Sequence, residues 1–286
     1  MSRQRKLIQK SLFGDDVIVA VRDIEDATKN ISNQQNNEFE QRENLNNTNV
    51  IKNISYDQKE ILWNIMKLYN SGNAFECDIT ASKLGFYKQS KKAKFNIPEP
   101  KYLFDVFPQQ EKIKKIEPFG RIPLEDNSVS SIVIDLPFVV SPPNAPSAKS
   151  NKKGSMIIFN RFHAYYPVDE LYKSVLHWIS EAYRVLKEDG ICVFKSQSTI
   201  SGGVQHNSEE YSFMCAQTVG FTGEDKFYLL AKSRLISSGK IKKQAHARKY
   251  TSVFWVFKKT LKKKSKNFNY MELLPLLYEE EKNRKY

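Results

Sequence analysis

The chain is poor in cysteine, with Cys77, Cys192 and Cys215 among 286 residues and no CxxC pair. That scatter argues against both a zinc site and a disulfide framework, and suits a reducing compartment. Its four histidines, His163, His177, His206 and His246, show no HExxH spacing, so no metal site is expected. No apolar run reaches the roughly 18 residues that suggest a membrane span. Met1 to Lys10 is basic but lacks the apolar stretch of a secretory signal. None of the 11 glycines is spaced to form a GxGxG loop. Acid is missing from one long region. Between Lys226 and Lys266 there are 14 Lys and Arg and no Asp or Glu, against a net charge of +13 for the whole chain. The excess positive charge is therefore C-terminal, and it implies a polyanionic partner, most simply nucleic acid. These features together lead to the expectation of a cytoplasmic or nucleoid-associated protein that is neither secreted nor membrane-bound.

What is present is mostly globular in composition, 40% hydrophobic and 12% aromatic, enough for one sizeable core. The exception is Asn30 to Asn49, where 11 of 20 residues are Asn or Gln. Such a stretch has too little apolar surface to fold alone. Residues 1–54 are accordingly expected to be a partly disordered appendage and linker, 55–260 the ordered domain, and 261–286 a basic tail. Within the domain, Ser55 or Asp57 can cap a helix running to about Asn70, with Gly72 just beyond it. Phe75–Ile79, Tyr102–Val106, Ile113–Phe119, Val129–Leu136 and Ile191–Lys195 read as strands. Pro167–Lys187 reads as an amphipathic helix with Leu171, Val175, Ile179, Ala182 and Leu186 on one face and Gly190 closing it. Ser208–Val219 reads as a helix. Phe227–Lys232 and Ser252–Lys258 read as strands, the last antiparallel. Alternating strands and helices predict an α/β fold.

The strand Val129–Leu136 carries the chemistry. Its apolar run, Ile132, Val133 and Ile134, delivers Asp135, Pro137 and Phe138 to a strand end, where open α/β sheets bind ligands. An acid can accept a hydrogen bond from an amino group, and a nearby ring can stack on a base. A base held this way must first leave its helix. Methyl transfer to an exocyclic nitrogen of a nucleobase needs that pairing, and positioning supplies most of the catalysis. Asp105, closing another strand, stands where Rossmann-like folds set an acid on ribose hydroxyls. The long segment Val139–Tyr166 mixes Pro, Lys and aromatics with Arg161, as suits backbone contact and base stacking. Lys195 follows a strand and can reach phosphate or substrate. Gln197 and the Ser201-Gly202-Gly203 turn are expected to touch substrate from the same edge. Lys232, Arg234, His246, Arg248 and Lys249 are expected to meet nucleic-acid phosphates.

Asp135-Leu136-Pro137-Phe138 resembles motif IV of the class I amino-methyltransferases, whose usual form is Asp or Asn, Pro, Pro and an aromatic. The resemblance covers about residues 74–259. It includes Arg121–Ser128 before the motif strand and the Arg-Val-Leu-Lys-x-x-Gly run at Arg184–Gly190. It also takes in Phe194–Gln197, Gly202-Gly203, Leu230–Arg234 and His246–Lys249, which together look like methylases of phages and mobile elements. The resemblance implies a Rossmann-like class I methyltransferase sheet, mostly parallel with an antiparallel last strand and flanked by helices. It implies S-adenosyl-L-methionine (SAM) as cofactor and an exocyclic nucleobase amine as target (adenine N6, cytosine N4 or guanine N2 in that family, with adenine N6 of DNA the leading expectation), and Asp135, Leu136, Pro137 and Phe138 as the catalytic motif. Glu76–Tyr87 resembles a DxTYSxGxFY segment of the phage-type relatives, which implies that Asp78, Thr80 and Ser82 hold the methionine end of SAM, with Asp105 on its ribose. Two departures stand out. Leu136 replaces a proline that rigidifies the loop, and the glycine loop is missing, with Ala81 in place of Tyr. They keep two other readings open: a catalytically impaired nucleic-acid-binding or partner subunit, and an RNA guanine-N2 enzyme. A protein partner or homodimer stays open as well.

Overall fold

The computed structural model describes residues 50–90, 93–140, 165–232 and 246–260. Arg161 and Arg234, most of the Val139–Tyr166 segment, and the 1–49 and 261–286 ends lie outside them. Ten strands and three helices follow in order: β1 (Ile54–Ser55), α1 (Gln58–Tyr69), β2 (Cys77–Asp78), β3 (Tyr102–Asp105), β4 (Lys114–Lys115), β5 (Val129–Asp135), α2 (Val168–Val185), β6 (Leu186–Ser196), β7 (Thr199–Ser201), β8 (Val204–His206), α3 (Ser208–Val219), β9 (Phe221–Leu230) and β10 (Thr251–Lys259). Among these residues no helix is long and apolar enough to cross a membrane.

Eight strands form one sheet in the order β1-β9-β10-β6-β5-β2-β3-β4. β5 lies parallel to β2 and β6, and β2 parallel to β3. β10 runs antiparallel to both neighbours, β6 and β9. This is the mostly parallel sheet with an antiparallel last strand, flanked by helices, of a Rossmann-like class I methyltransferase fold. β5, β2 and β6 are central, and their apolar runs are buried on both faces, as parallel strands under helices must be. α2 and α3 join one core with Ile132, Ile134, Phe194, Phe221 and Phe257. By strand alternation Phe254 points to the opposite face, where it meets Phe86 at 6.3 Å between ring centroids.

Local chemistry explains the element ends. Asp57 caps α1, accepting the Lys59 amide at 2.9 Å. The sequence places the end of α2 at Lys187, closed by Gly190; the structure stops it at Val185. The last-turn carbonyls are claimed from outside the helix. Asn127 N–H donates to the Arg184 carbonyl and Ser128 N–H to the Val185 carbonyl, at 3.0 and 2.8 Å. Buried Lys259 Nζ donates to the Tyr183 and Leu186 carbonyls at 2.7 Å each. No glycine cap is then required. Gly190 instead allows close approach, since a Cβ there would lie 3.0 Å from the Ser130 carbonyl oxygen on β5. The hairpin β7–β8 has a two-residue loop, Gly202-Gly203, with φ of +59° and +81°. Two successive positive φ values match the twist of a tight hairpin and favour glycine at both positions.

Candidate functional site

Because β2, β3, β5 and β6 are parallel, their C-terminal ends share one edge of the sheet. Asp78, Asp105, Asp135 and Lys195 stand there. Sequence alone pointed to each of them; the register brings them together. Asp135 and Lys195 are cross-strand partners, and Lys195 Nζ donates to Asp135 Oδ2 at 2.9 Å. The pair is mostly shielded, with side chains 11% exposed for Lys195 and 24% for Asp135. The ammonium also sits 5.5 Å from the ring centroids of both Phe86 and Phe254, and Gln58 Oε1 lies 3.5 Å away. Lys195 is thus committed to the Asp135 carboxylate and two aromatic faces, rather than standing free for phosphate.

Asp78 is wholly buried, with 0% exposure. Its Oδ1 accepts from the Thr80 amide at 2.7 Å and the Thr80 hydroxyl at 3.0 Å. Its Oδ2 accepts from the Tyr87 hydroxyl at 2.6 Å. Burial raises the Asp78 carboxyl to about 7, against the pull of these three donors. Burial, then the Asp78 charge, also pushes the Tyr87 hydroxyl up. The acid expected to grip the methionine end of a cofactor therefore stands behind the loop, its oxygens engaged by the protein. Thr80 faces the other way as well, since its Oγ1 accepts the backbone N–H of Asp135 at 2.8 Å.

The loop after β2 compensates for its missing glycines. Ser82 and Leu84 hold φ of +45° and +57°, the left-handed region that glycine enters at least expense. Two contacts stabilise this winding. The buried Leu84 side chain anchors it in the core, and Asp105 Oδ2 accepts the Ser82 amide at 2.7 Å. Asp105 Oδ1 accepts the Phe107 amide at 2.6 Å. Burial raises the Asp105 carboxyl while these two amides pull it down. Asp105 thus ties the β3 end to the β2 loop, and it stays half-exposed, with lone pairs left to accept further donors. Strain held at non-glycine residues in a loop over a sheet edge is a mark of functional sites.

Beyond Asp135 the motif residues separate. Leu136 is buried at 6% exposure and belongs to the core, so packing fixes the position where the resembled family has a proline ring. Pro137 and Phe138 are half-buried at the edge. Tyr165 lies alongside: its amide donates to the Val139 carbonyl at 2.9 Å and its hydroxyl pairs with Ser174 Oγ at 2.9 Å.

Since β10 is antiparallel to both β6 and β9, the end of β9 and the start of β10 open on this same edge. Lys232, His246 and Arg248 are exposed there and Lys249 is half-buried. Lys232 Nζ lies 5.9 Å from the Tyr56 ring centroid. Gln197 does not face a substrate. It is buried and donates to the Thr251 carbonyl, fastening β6 to β10. Sequence reasoning missed Gln58, Tyr87 and Phe254, which complete the surroundings of Asp78 and Lys195. Tyr87 stood inside a motif already quoted; Gln58 and Phe254 left no signal apart from the fold. Among the described residues no cluster of three or more His, Cys, Asp or Glu side chains is placed to hold a metal ion.

No protein-family model matches the chain, and no curated protein matches it. Solved structures are similar to it in part. The PvuII cytosine-N4-specific DNA methyltransferase is 22% identical over 48% of this chain and 45% of its own, with a TM-score of 0.31. A SAM-dependent methyltransferase from Methanosarcina mazei is 12% identical over 69% of this chain and 87% of its own, TM-score 0.34. Another from Aquifex aeolicus is 16% identical over 71% and 94%, TM-score 0.31. The chain spans about half the length of the first structures it matches. At these identities and scores the likenesses carry no weight for activity.

Proposed function

We propose that the chain is a SAM-dependent methyltransferase acting on an exocyclic amino group of a nucleobase, with adenine N6 of DNA as the target. The observation that carries this reading is the placement of Asp135. It ends the central strand β5, beside a left-handed loop after β2 and an acid at the end of β3, in a mostly parallel sheet with an antiparallel last strand, as the resemblance to class I methyltransferases implies. The donors and acceptors at this edge suit SAM. Asp105 keeps lone pairs for ribose hydroxyls, and the Thr80–Ser82 turn borders the methionine end, with Asp78 supporting it from within. SAM supplies an electrophilic methyl group when bound. Asp135 accepts a hydrogen bond from the target amine and turns its lone pair outward, and Phe138 offers a face for the base. Loss of the amine proton after transfer requires no strong base. Lys232, Arg248 and Lys249 supply positive charge for the phosphates along the same edge, where His246 adds a hydrogen-bonding group, with Arg161 and Arg234 assigned to the phosphates from sequence alone.

The test is transfer of labelled methyl from SAM to DNA, with RNA as competitor and SAM binding followed by calorimetry. Transfer to DNA that RNA does not suppress supports the reading. A second reading, a binding-only subunit of this fold, is favoured by one observation: Lys195 already occupies Asp135 Oδ2. It predicts salt-dependent DNA binding without heat from SAM.

A further inference from the structure

We infer that Tyr87, Asp78 and Thr80 are positioning residues that set Asp135 through its backbone, coupling the loop after β2 to the amine-accepting acid. This rests on the methyltransferase reading for what Asp135 does, and on geometry alone for the coupling.

The geometry begins where a ladder runs out. β2 is two residues long, and its pairing with β5 is Cys77 with Ile132 and Asp78 with Val133. One more rung survives, the Ile79 amide to the Val133 carbonyl at 3.3 Å. The chain then turns away, and the Ala81 amide goes to the Phe104 carbonyl on β3 at 3.1 Å. The next donor on β5, the Asp135 N–H, has lost its backbone partner on that side. The Thr80 hydroxyl takes the place of that carbonyl, accepting at 2.8 Å. A hydroxyl carries one proton and two lone pairs. Its proton is committed to Asp78 Oδ1, which leaves a lone pair for Asp135 and fixes the direction of the bond. Asp78 is oriented in turn by the Thr80 amide and by the buried Tyr87 hydroxyl. Tyr87, Asp78 and Thr80 therefore form one connected chain with the Asp135 amide: that amide donates to Thr80, and Thr80 and Tyr87 both donate to the Asp78 carboxylate.

Asp135 is thereby held at two points, its amide by Thr80 and its carboxylate by Lys195. Rotation about its Cα is restricted from both sides. The same Thr80 belongs to the turn that continues into left-handed Ser82 and Leu84. The fixed place of that turn therefore fixes the acceptor of the Asp135 amide as well. The target acid and the cofactor loop are thus set together through one hydroxyl, without contact between two ligands.

The experiment compares Thr80→Val, which keeps the shape and loses the hydroxyl, with Thr80→Ser, which restores it; Tyr87→Phe removes the far end of the chain. Three readouts are taken: hydrogen exchange of the Asp135 amide by NMR, the methyl-transfer rate at saturating SAM and DNA, and the SAM Kd. In Thr80→Val the Asp135 amide is expected to exchange at least about tenfold faster, with transfer slowed about tenfold when SAM is kept saturating by the Kd measured for that variant. Tyr87→Phe is expected to shift the first two readouts the same way by a smaller factor. Thr80→Ser is expected to return both to within about threefold of the wild type. Unchanged Asp135 exchange in Thr80→Val overturns the coupling. Equal impairment of Thr80→Ser and Thr80→Val overturns it too, because a general packing role predicts that result. Faster exchange with an unchanged transfer rate overturns the positioning role. A wild-type chain that binds no SAM and transfers no methyl group overturns the methyltransferase reading instead, and the amide exchange still decides the coupling.

Discussion

Arg184 and Asp135 each anchor a cluster of charged and polar groups, and both lie in sequence fragments that point to the same family. The two clusters differ in what they leave over. The Arg184 guanidinium donates to Glu181, to Asp126 and to the carbonyls of Leu124 and Ile122, all between 2.7 and 2.9 Å. Glu181 closes the loop by accepting the Ile122 amide at 2.8 Å. Burial works against Glu181, yet these bonds hold its carboxyl below the usual range. Every partner is internal, so the cluster clamps the Arg121–Ser128 run onto α2. At the other end of β5, Asp135 and Asp105 stay half-exposed, beside a loop held in left-handed φ. A resemblance spread over both fragments thus combines a folding device with a site, and only the geometry separates them.

The comparison breaks most directly at Arg184. Arg184→Met removes one partner of a largely buried ion pair and is expected to lower stability by about 3–5 kcal/mol. Urea unfolding measures this, and transfer per folded molecule should be unaffected. Asp135→Ala is the opposite case: it strands the shielded Lys195 ammonium and so also lowers the unfolding midpoint, but transfer per folded molecule is expected to fall roughly a hundredfold with the SAM Kd nearly unchanged.

Asp78 sharpens the comparison, because it belongs to the site yet is sealed like the clamp. Its folded carboxyl titrates at about 7, well above the 3.8 of an ordinary aspartate. Below both values it is protonated, folded or unfolded, and burial carries no charge penalty. As pH rises from 4 to 7 the unfolded chain ionises first, so this group's contribution to stability declines; above 7 the penalty is complete. Asp78→Asn has no proton to lose. Its stability deficit against the wild type should therefore be smaller at pH 8 than at pH 5, by at least about 1 kcal/mol. Urea unfolding of both proteins at the two pH values checks this. Gly203→Ala is expected to have the smallest effect, about 1 kcal/mol from its positive φ alone, since nothing lies within 4 Å of the added Cβ. Its thermal midpoint reports it.

Much of the fold was legible because its signals are local. Helix α3 carries its own boundaries, Ser208 to Val219, and β5 its β-branched run. The antiparallel β10 was read correctly too. The end of α2 was misplaced because its carbonyls are taken by Asn127, Ser128 and Lys259, which no window around Gly190 contains. β1 and the β7–β8 hairpin were missed as elements, being two or three residues per strand, although the Gly202-Gly203 turn was noticed. Asp135, Asp105 and Lys195 were picked out by type and place. That Lys195 sits on Asp135 depends on the register of two parallel strands, which neither strand encodes alone. The left-handed Ser82 and Leu84 escaped notice because only glycine advertises that conformation in a sequence.

Those two residues have a consequence for how the loop meets a ligand. A glycine-rich loop samples many shapes and settles on one when its ligand arrives, so part of the ordering falls on binding. Here the Leu84 side chain is seated in the core and Ser82 is tied to Asp105. The loop's shape is therefore fixed when the chain folds. Such a loop gives up little entropy on meeting a ligand that fits it, and it has little room to adapt to one that does not.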